Sequence, residues 1–261
     1  MRASIRIPAT PELQYLLRLA DTCLISGQRL GEWCGHAPIL EEDIALSNMA
    51  LDLIGQARAL LTLAGQHSGQ CGGAAFDEDQ LAFLRDEIDY RSPTLAELPR
   101  GDFAFTILRN LALSTWLKLM WQRLSDSRDA ELAAIAGKAL KEARYHQQHA
   151  ADWTVRLGDG TDESHRRCEA ALAQVWLYIP ELFEDDVVDA AATAAGLGPA
   201  WSQLHEAWQA EMSEVLGEAT LAIPGAATFR STGKRGLHSE HMGFLLAEMQ
   251  YLQRAYPGGA W

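Results

Sequence analysis

The sequence predicts an all-α protein: an up-and-down four-helix bundle with additional C-terminal helices. Apolar residues recur at spacings of three and four along four long stretches, the signature of helices that bury one face. Helix-start residues and glycine or proline stops divide those stretches at moderate intervals. No segment of six or more residues alternates as a strand does, and there is no tandem repeat.

Thr10-Pro11-Glu12 places a capping hydroxyl and then proline at the first helical position. The apolar series Leu13, Leu16, Leu17, Leu19, Ala20, Cys23 and Leu24 makes the following stretch the first helix. Beyond a bend from Gly31 to Pro38, a second helix begins near Leu40. It carries Leu46, Met49, Ala50, Leu53, Ala57, Leu60 and Ala64, and ends near the loop from Gly65 to Gly73. A short acidic helix is expected over 78–89, broken by Arg91-Ser92-Pro93. The third long helix runs from about Asp102 to Leu124. The fourth opens at Asp129 and continues to Leu157, where Gly158 and Gly160 stop it. Further helices are expected over 164–178, 199–221 and 238–256, with 224–236 as an exposed arm.

With 261 residues, 48% of them hydrophobic and 22% charged, the chain suits one domain over 1–261, its first ten or so residues forming a flexible arm. Its 22 basic and 35 acidic residues give a net charge of −13, which disfavours a nucleic-acid backbone or an anionic membrane as partner. No apolar run approaches the roughly 18 residues that suggest a membrane span. Cys23, Cys34, Cys71 and Cys168 are scattered without a C-x-x-C, as expected of reduced thiols in a cytoplasmic protein. No G-x-S-x-G, P-loop or G-x-G-x-x-G motif supports a hydrolase, NTPase or dinucleotide-binding reading.

Four-helix carboxylate proteins hold two metal ions with a Glu from each of two helices and a Glu-x-x-His from each of the other two. This chain has the helices without that ligand set. Its second helix reads Leu53-Ile54-Gly55-Gln56 at one such station, and its fourth reads Ala143-Arg144-Tyr145-His146, keeping the His and losing the Glu. Two irons need roughly four carboxylates for charge balance and hard oxygen ligation. Leu and Ala offer no lone pair, and replacing a vacated carboxylate with Leu gains roughly 1.5–3 kcal/mol of apolar burial.

Five blocks carry a family resemblance: RLGEWCGHAP over 29–38, LDLIGQAR over 51–58, KEARYHQQH over 141–149, LGDGTD over 157–162 and GLHSEHMGFLLAEMQYLQR over 236–254. In order and over nearly the whole chain, they resemble the structural C-type subunits of bacterial phenylacetyl-CoA epoxidases, which are ferritin-like. The resemblance implies a non-catalytic subunit in aerobic phenylacetate degradation. It would pair with a homologous catalytic subunit that holds the diiron site, with a reductase among the other subunits and no cofactor on this chain. Contact with phenylacetyl-CoA and a homodimer are open possibilities. Registered against the catalytic subunit, Cys23, Leu53, Gln56, Ser114 and Ala143 occupy lost-ligand positions, and His146 is retained.

Other residues are weighed individually. His146 and His149, with Glu142 one turn earlier and His238 or His241 as additional donors, make the alternative of a single-metal helical enzyme. Structural or surface histidines are favoured, because a third ligand is not evident nearby in sequence. His238-Ser239-Glu240-His241 reads as a helix-start capping region or as a docking surface with Lys234 and Arg235. Tyr90, Arg91 and Ser92 form a short stretch expected to be exposed. It is read as a solvated turn or, in the sharper reading, as the rim of a CoA channel. Trp33, Trp116, Trp121, Trp153, Trp176, Trp201, Trp208 and Trp261 are expected mostly in the core, with some left to anchor an interface.

Overall fold

The computed structural model describes residues 4–70 and 74–259. The predicted long helices form where their apolar faces meet. α1 (Pro11–Gly31) and α2 (Leu40–Gln70) pack as one pair, and α5 (Phe103–Leu124) and α6 (Ala130–Gly158) as another. α2 then lies against α6 and closes the bundle. Partners of descending number along α6 meet residues of ascending number along α2: His149 meets Glu42, His146 meets Asp52, and Glu142 meets Gln56. The two helices therefore run antiparallel.

Shorter helices complete the layers: α3 (Glu78–Phe83), α4 (Thr94–Glu97), α7 (Asp162–Trp176), α8 (Val187–Ala195), α9 (His205–Glu218) and α10 (Glu240–Ala255). Among the described residues there is no strand, only one antiparallel bridge between Thr232 and Leu237. No helix among them is long and apolar enough to cross a membrane.

The predicted apolar series of α1 is buried throughout, and so are the polar residues between its members except the half-buried Gln14. Arg18, Asp21 and Arg29 turn away from the bundle and still avoid solvent, because other elements cover that side. Arg18 donates to Asp186 and Asp189, both at 3.0 Å, which fastens α8. Asp21 is bridged by Arg85 with both side chains fully buried, and Arg29 donates to the carbonyl of Glu97 at 2.9 and 2.7 Å. α1 is thus a central helix held by charged pins on the side away from the bundle.

Several expectations need correction. Thr10 occupies the N-cap of α1, but its hydroxyl makes no capping bond. Residues 4–10 are not a free arm: Ile5 and Ile7 pack on the core, and the Ile5 N–H reaches the Leu84 carbonyl at 3.3 Å. α2 does not stop at Gly65. It continues to Gln70, and Gly65 is needed because a Cβ there would meet the Phe76 carbonyl oxygen at 1.9 Å.

The predicted acidic helix ends at Phe83, followed by one 3-10 turn at Glu87–Asp89. The Arg85 carbonyl that would continue it instead accepts from Gln250 at 3.0 Å and Arg254 at 2.7 Å. α8 is absent from the predicted elements, although its signals are readable. Asp186 and Asp189 form a capping box at its start, and Gly196 ends it at φ 68°. In the predicted 224–236 arm, residues 225–230 are mostly exposed, but Ser231, Gly233 and Lys234 are buried.

Trp33, Trp116, Trp121, Trp201 and Trp208 are buried as expected. Trp153 and Trp176 are half-buried, and Trp261 lies outside the described residues. Cys23 and Cys168 are buried free thiols, Cys34 is an exposed one, and Cys71 lies outside the described residues.

A candidate vestigial metal centre

The six positions singled out in the ligand pattern come from all four long helices: Cys23 from α1, Leu53 and Gln56 from α2, Ser114 from α5, and Ala143 and His146 from α6. All six are buried. Leu53, Ser114 and His146 line one cavity of about 20 Å³, beside Ser26, Asn110 and Met49. Cys23 lies 3.5 Å from the Gln56 side-chain oxygen, and Gln56 Nε2 donates to Glu142 at 2.9 Å. The Ser114 hydroxyl is turned to the Asn110 carbonyl at 2.5 Å.

These residues do not fit a two-iron centre. The cavity is about the size of a single water site. Burial raises the Cys23 thiol far above its ordinary pKa, with the charges of Glu142 and Asp21 adding to the effect, so it stays a neutral thiol and not a thiolate ligand. Leu53 and Ala143 have no donor atoms, and Gln56 and Ser114 are already engaged. His146 Nε2 faces Asp52 Oδ2 at 3.1 Å.

The histidines of the single-metal reading are likewise separately partnered. His149 Nε2 meets Glu42 at 2.8 Å, and Glu142 serves Gln56. His238 is enclosed with Glu97, their contact 2.6 Å and both side chains fully buried. Among the described residues no three His, Cys, Asp or Glu side chains gather at metal-binding distances.

His146 and His238 carry opposite pH signatures. Burial lowers the pKa of His146 despite the Asp52 hydrogen bond and charge, so the fold favours its neutral form. Its contribution to stability is present above the unfolded value near 6.5 and is lost as pH falls through the folded value. Burial also opposes the charging of His238, but the hydrogen bond and charge of Glu97 outweigh it and raise the pKa. That contribution is present below about 6.5 and lost as pH rises through the folded value. Ring-proton NMR titration is expected to place His146 below and His238 above an ordinary histidine. The same order should survive His149→Gln.

The second group of sequence candidates converges around the segment from Ser231 to His241, mostly in the interior. Tyr90 and Ser92 are fully buried, which overturns the expectation of an exposed stretch. The Tyr90 hydroxyl donates to the Ala82 carbonyl and accepts from Gln250 Nε2 at 2.8 Å, while the Arg85 guanidinium lies 4.1 Å from its ring centre. Arg91 donates to Gln14 at 2.6 Å and to the Ile88 and Tyr90 carbonyls, leaving no open guanidinium fork for a phosphate.

Lys234 and His238 are corrected from surface to interior. Two buried carboxylates draw the segment inward. Glu181 accepts from the backbone N–H groups of Thr94 at 3.0 Å and Lys234 at 2.9 Å, and from the Ser231 hydroxyl at 2.5 Å. Glu97 accepts from His238 and from the Ser239 N–H at 2.5 Å. The Lys234 ammonium reaches the Glu184 carbonyl beneath the Trp201 ring. Arg235 and Glu240 remain exposed, and His241 is half-exposed.

Sequence reasoning also missed a cleft of about 610 Å³. Leu98, Pro99 and Phe105 give it an apolar wall, and Arg166, Arg167 and His241 stand among its polar residues. Both arginines are paired with Glu163, at 2.9 and 2.7 Å. The cleft joins segments far apart in sequence, so no local spacing marks it.

Fold and site together define a class: a ferritin-like helical bundle in which the six positions singled out in the ligand pattern are buried and, among the described residues, gather no cluster of metal-ligating side chains. The chain belongs to the phenylacetic acid catabolic protein family, whose family model matches residues 4–261. It is similar to the C-type subunit of the 1,2-phenylacetyl-CoA epoxidase of Escherichia coli (strain K12). The two are 48% identical over 247 residues, covering 95% of this chain and 98% of the relative.

Proposed function

We propose that this chain is the non-catalytic structural subunit of a multicomponent phenylacetyl-CoA epoxidase in aerobic phenylacetate breakdown. One observation carries the reading. Leu53, Ser114 and His146 line one small cavity inside the bundle, Ala143 is buried, and no three metal-ligating side chains gather among the described residues, which supports a bundle that has given up a two-metal ligand set and kept only His146 of it. The similarity to an epoxidase subunit supplies the reaction.

The diiron centre, the oxygen chemistry and the ring epoxidation belong to a homologous catalytic partner, with electrons from a reductase subunit. This chain contributes a rigid helical body that keeps the partner's ligand helices in register, since about 1 Å of misplacement can lower a rate ~100-fold. The net charge of −13 suits a cytoplasmic complex.

The test is co-expression with the catalytic subunit, with iron measured per chain in the complex and in each subunit alone. Iron confined to the partner, with turnover that needs both chains, is the expected result. Stoichiometric iron, manganese or zinc on this chain, lost in His146→Ala, would overturn it and reopen the single-metal enzyme reading.

A further inference from the structure

Three polar residues meet on the wall of the cavity beside Leu53, and they come from helices of different pairs. Ser26 belongs to α1, and Asn110 and Ser114 belong to α5. Ser26 is 8% exposed, and its buried hydroxyl has no partner among the described residues. The Asn110 side-chain nitrogen is buried and has none either. A hydroxyl on a helix can turn back to the carbonyl four residues earlier, as those of Thr22, Ser114 and Thr154 do at 2.6, 2.5 and 2.7 Å. Ser26 does not take that bond. Polar atoms shut away from solvent give up the hydrogen bonds they would make in water, so native folds supply a partner for nearly all of them.

We propose that this cavity binds one ordered water molecule, held between Ser26 of α1 and Asn110 and Ser114 of α5, which ties one helix pair to the other beside His146. The size agrees. At about 20 Å³ the cavity exceeds the roughly 10–15 Å³ that a single water needs and leaves no space for an organic ligand. Three polar residues also fall within the two to four partners that a buried water usually has.

The donors and acceptors select the occupant. Asn110 Nδ2 offers protons, whereas the Ser114 hydroxyl has given its proton to the Asn110 carbonyl and offers only lone pairs. A cation would be met by the amide protons and an anion by the serine lone pairs. Water accepts from Asn110 and donates to Ser114, and the Ser26 hydroxyl can do either. Apart from His146, whose Nε2 is engaged with Asp52, the rest of the wall is apolar, so an ion would find no counter-charge there. The site stands apart from the register of lost ligands, since neither Ser26 nor Asn110 belongs to it.

A high-resolution crystal structure of the full-length chain tests this directly. The expected result is one solvent peak within about 2.5–3.2 Å of Ser26 Oγ, Asn110 Nδ2 and Ser114 Oγ. Thermal unfolding of Ser26→Ala, Asn110→Leu and the double variant supplies the second reading, because helix propensity cancels around the cycle. Two groups that share a water lose it together, so Asn110→Leu should lower Tm by about 2 °C or more less in the Ser26→Ala background than in the parent. A cavity without solvent density, or a Ser26 hydroxyl turned back to the Thr22 carbonyl, would overturn the proposal. So would strictly additive Tm shifts, which would mean that the two side chains have no ligand in common.

Discussion

Arg85→Ala is expected to destabilise the protein by about 3–5 kcal/mol, measured as the shift in urea unfolding free energy at neutral pH. Arg85 and Asp21 form an ion pair in which both side chains are fully buried. Removing the guanidinium leaves a carboxylate in the interior with only the Arg91 N–H, at 2.7 Å, among its present donors. Arg85 also donates to the carbonyls of Leu81 at 2.5 Å and Asp89 at 3.1 Å, so the turn after α3 loses its pins together with the charge. Arg85→Lys is expected to recover only part of this, since an ammonium cannot reproduce the two-pronged contact. The loss should shrink in acid, where Asp21 of the variant takes up a proton. If Arg85→Ala unfolds within ~1 kcal/mol of the parent, the pair does not hold α1 to this turn.

Leu53→Glu is the second large effect, expected at several kcal/mol of lost stability. In the proposed register it places one carboxylate at a lost-ligand position, without the cation that would neutralise it. Leu53 is 4% exposed beside a cavity of about 20 Å³, which has no room for the hydration shell of a charge. The new carboxyl should therefore titrate high and remain neutral, giving a variant that is more stable at pH 5 than at pH 8.

Restoring the whole set, Cys23→Glu, Leu53→Glu, Gln56→His, Ser114→Glu and Ala143→Glu beside native His146, should make stability depend on added Fe²⁺ or Mn²⁺. Thermal unfolding with and without metal reads this directly. A metal response of the single variant equal to that of the full set would show that the register of the lost ligands is wrong.

Local spacing makes the bundle itself legible. The four long helices, the near-complete burial of their apolar series and the starting positions of α1, α2, α5 and α6 follow from periodicity and capping, because a helix that must bury one face writes that face every three or four residues. The vacant ligand pattern is legible for a related reason. Its paired members lie three apart on one helix, and the family resemblance sets the register that places Leu53 with Gln56 and Ala143 with His146 in it. The bundle then brings Leu53, Ser114 and His146 to one cavity wall.

The environment of individual polar residues is decided only by tertiary structure. Tyr90, Ser92, Lys234 and His238 have the composition of a surface turn and a surface arm, yet they are drawn inside. For Lys234 and His238 the cause is the pair of buried carboxylates, Glu181 and Glu97, which collect donors from segments as much as about 140 residues away in sequence, whereas Tyr90 is held by Ala82, Gln250 and Arg85. The close approach permits it: a Cβ at Gly233 would lie 2.6 Å from the Ser92 carbonyl oxygen. A sequence records which residues can be buried with a partner. Which partner arrives depends on long-range packing, and in this protein that packing turned apparent surface chemistry into the pins that hold the C-terminal segment against the bundle.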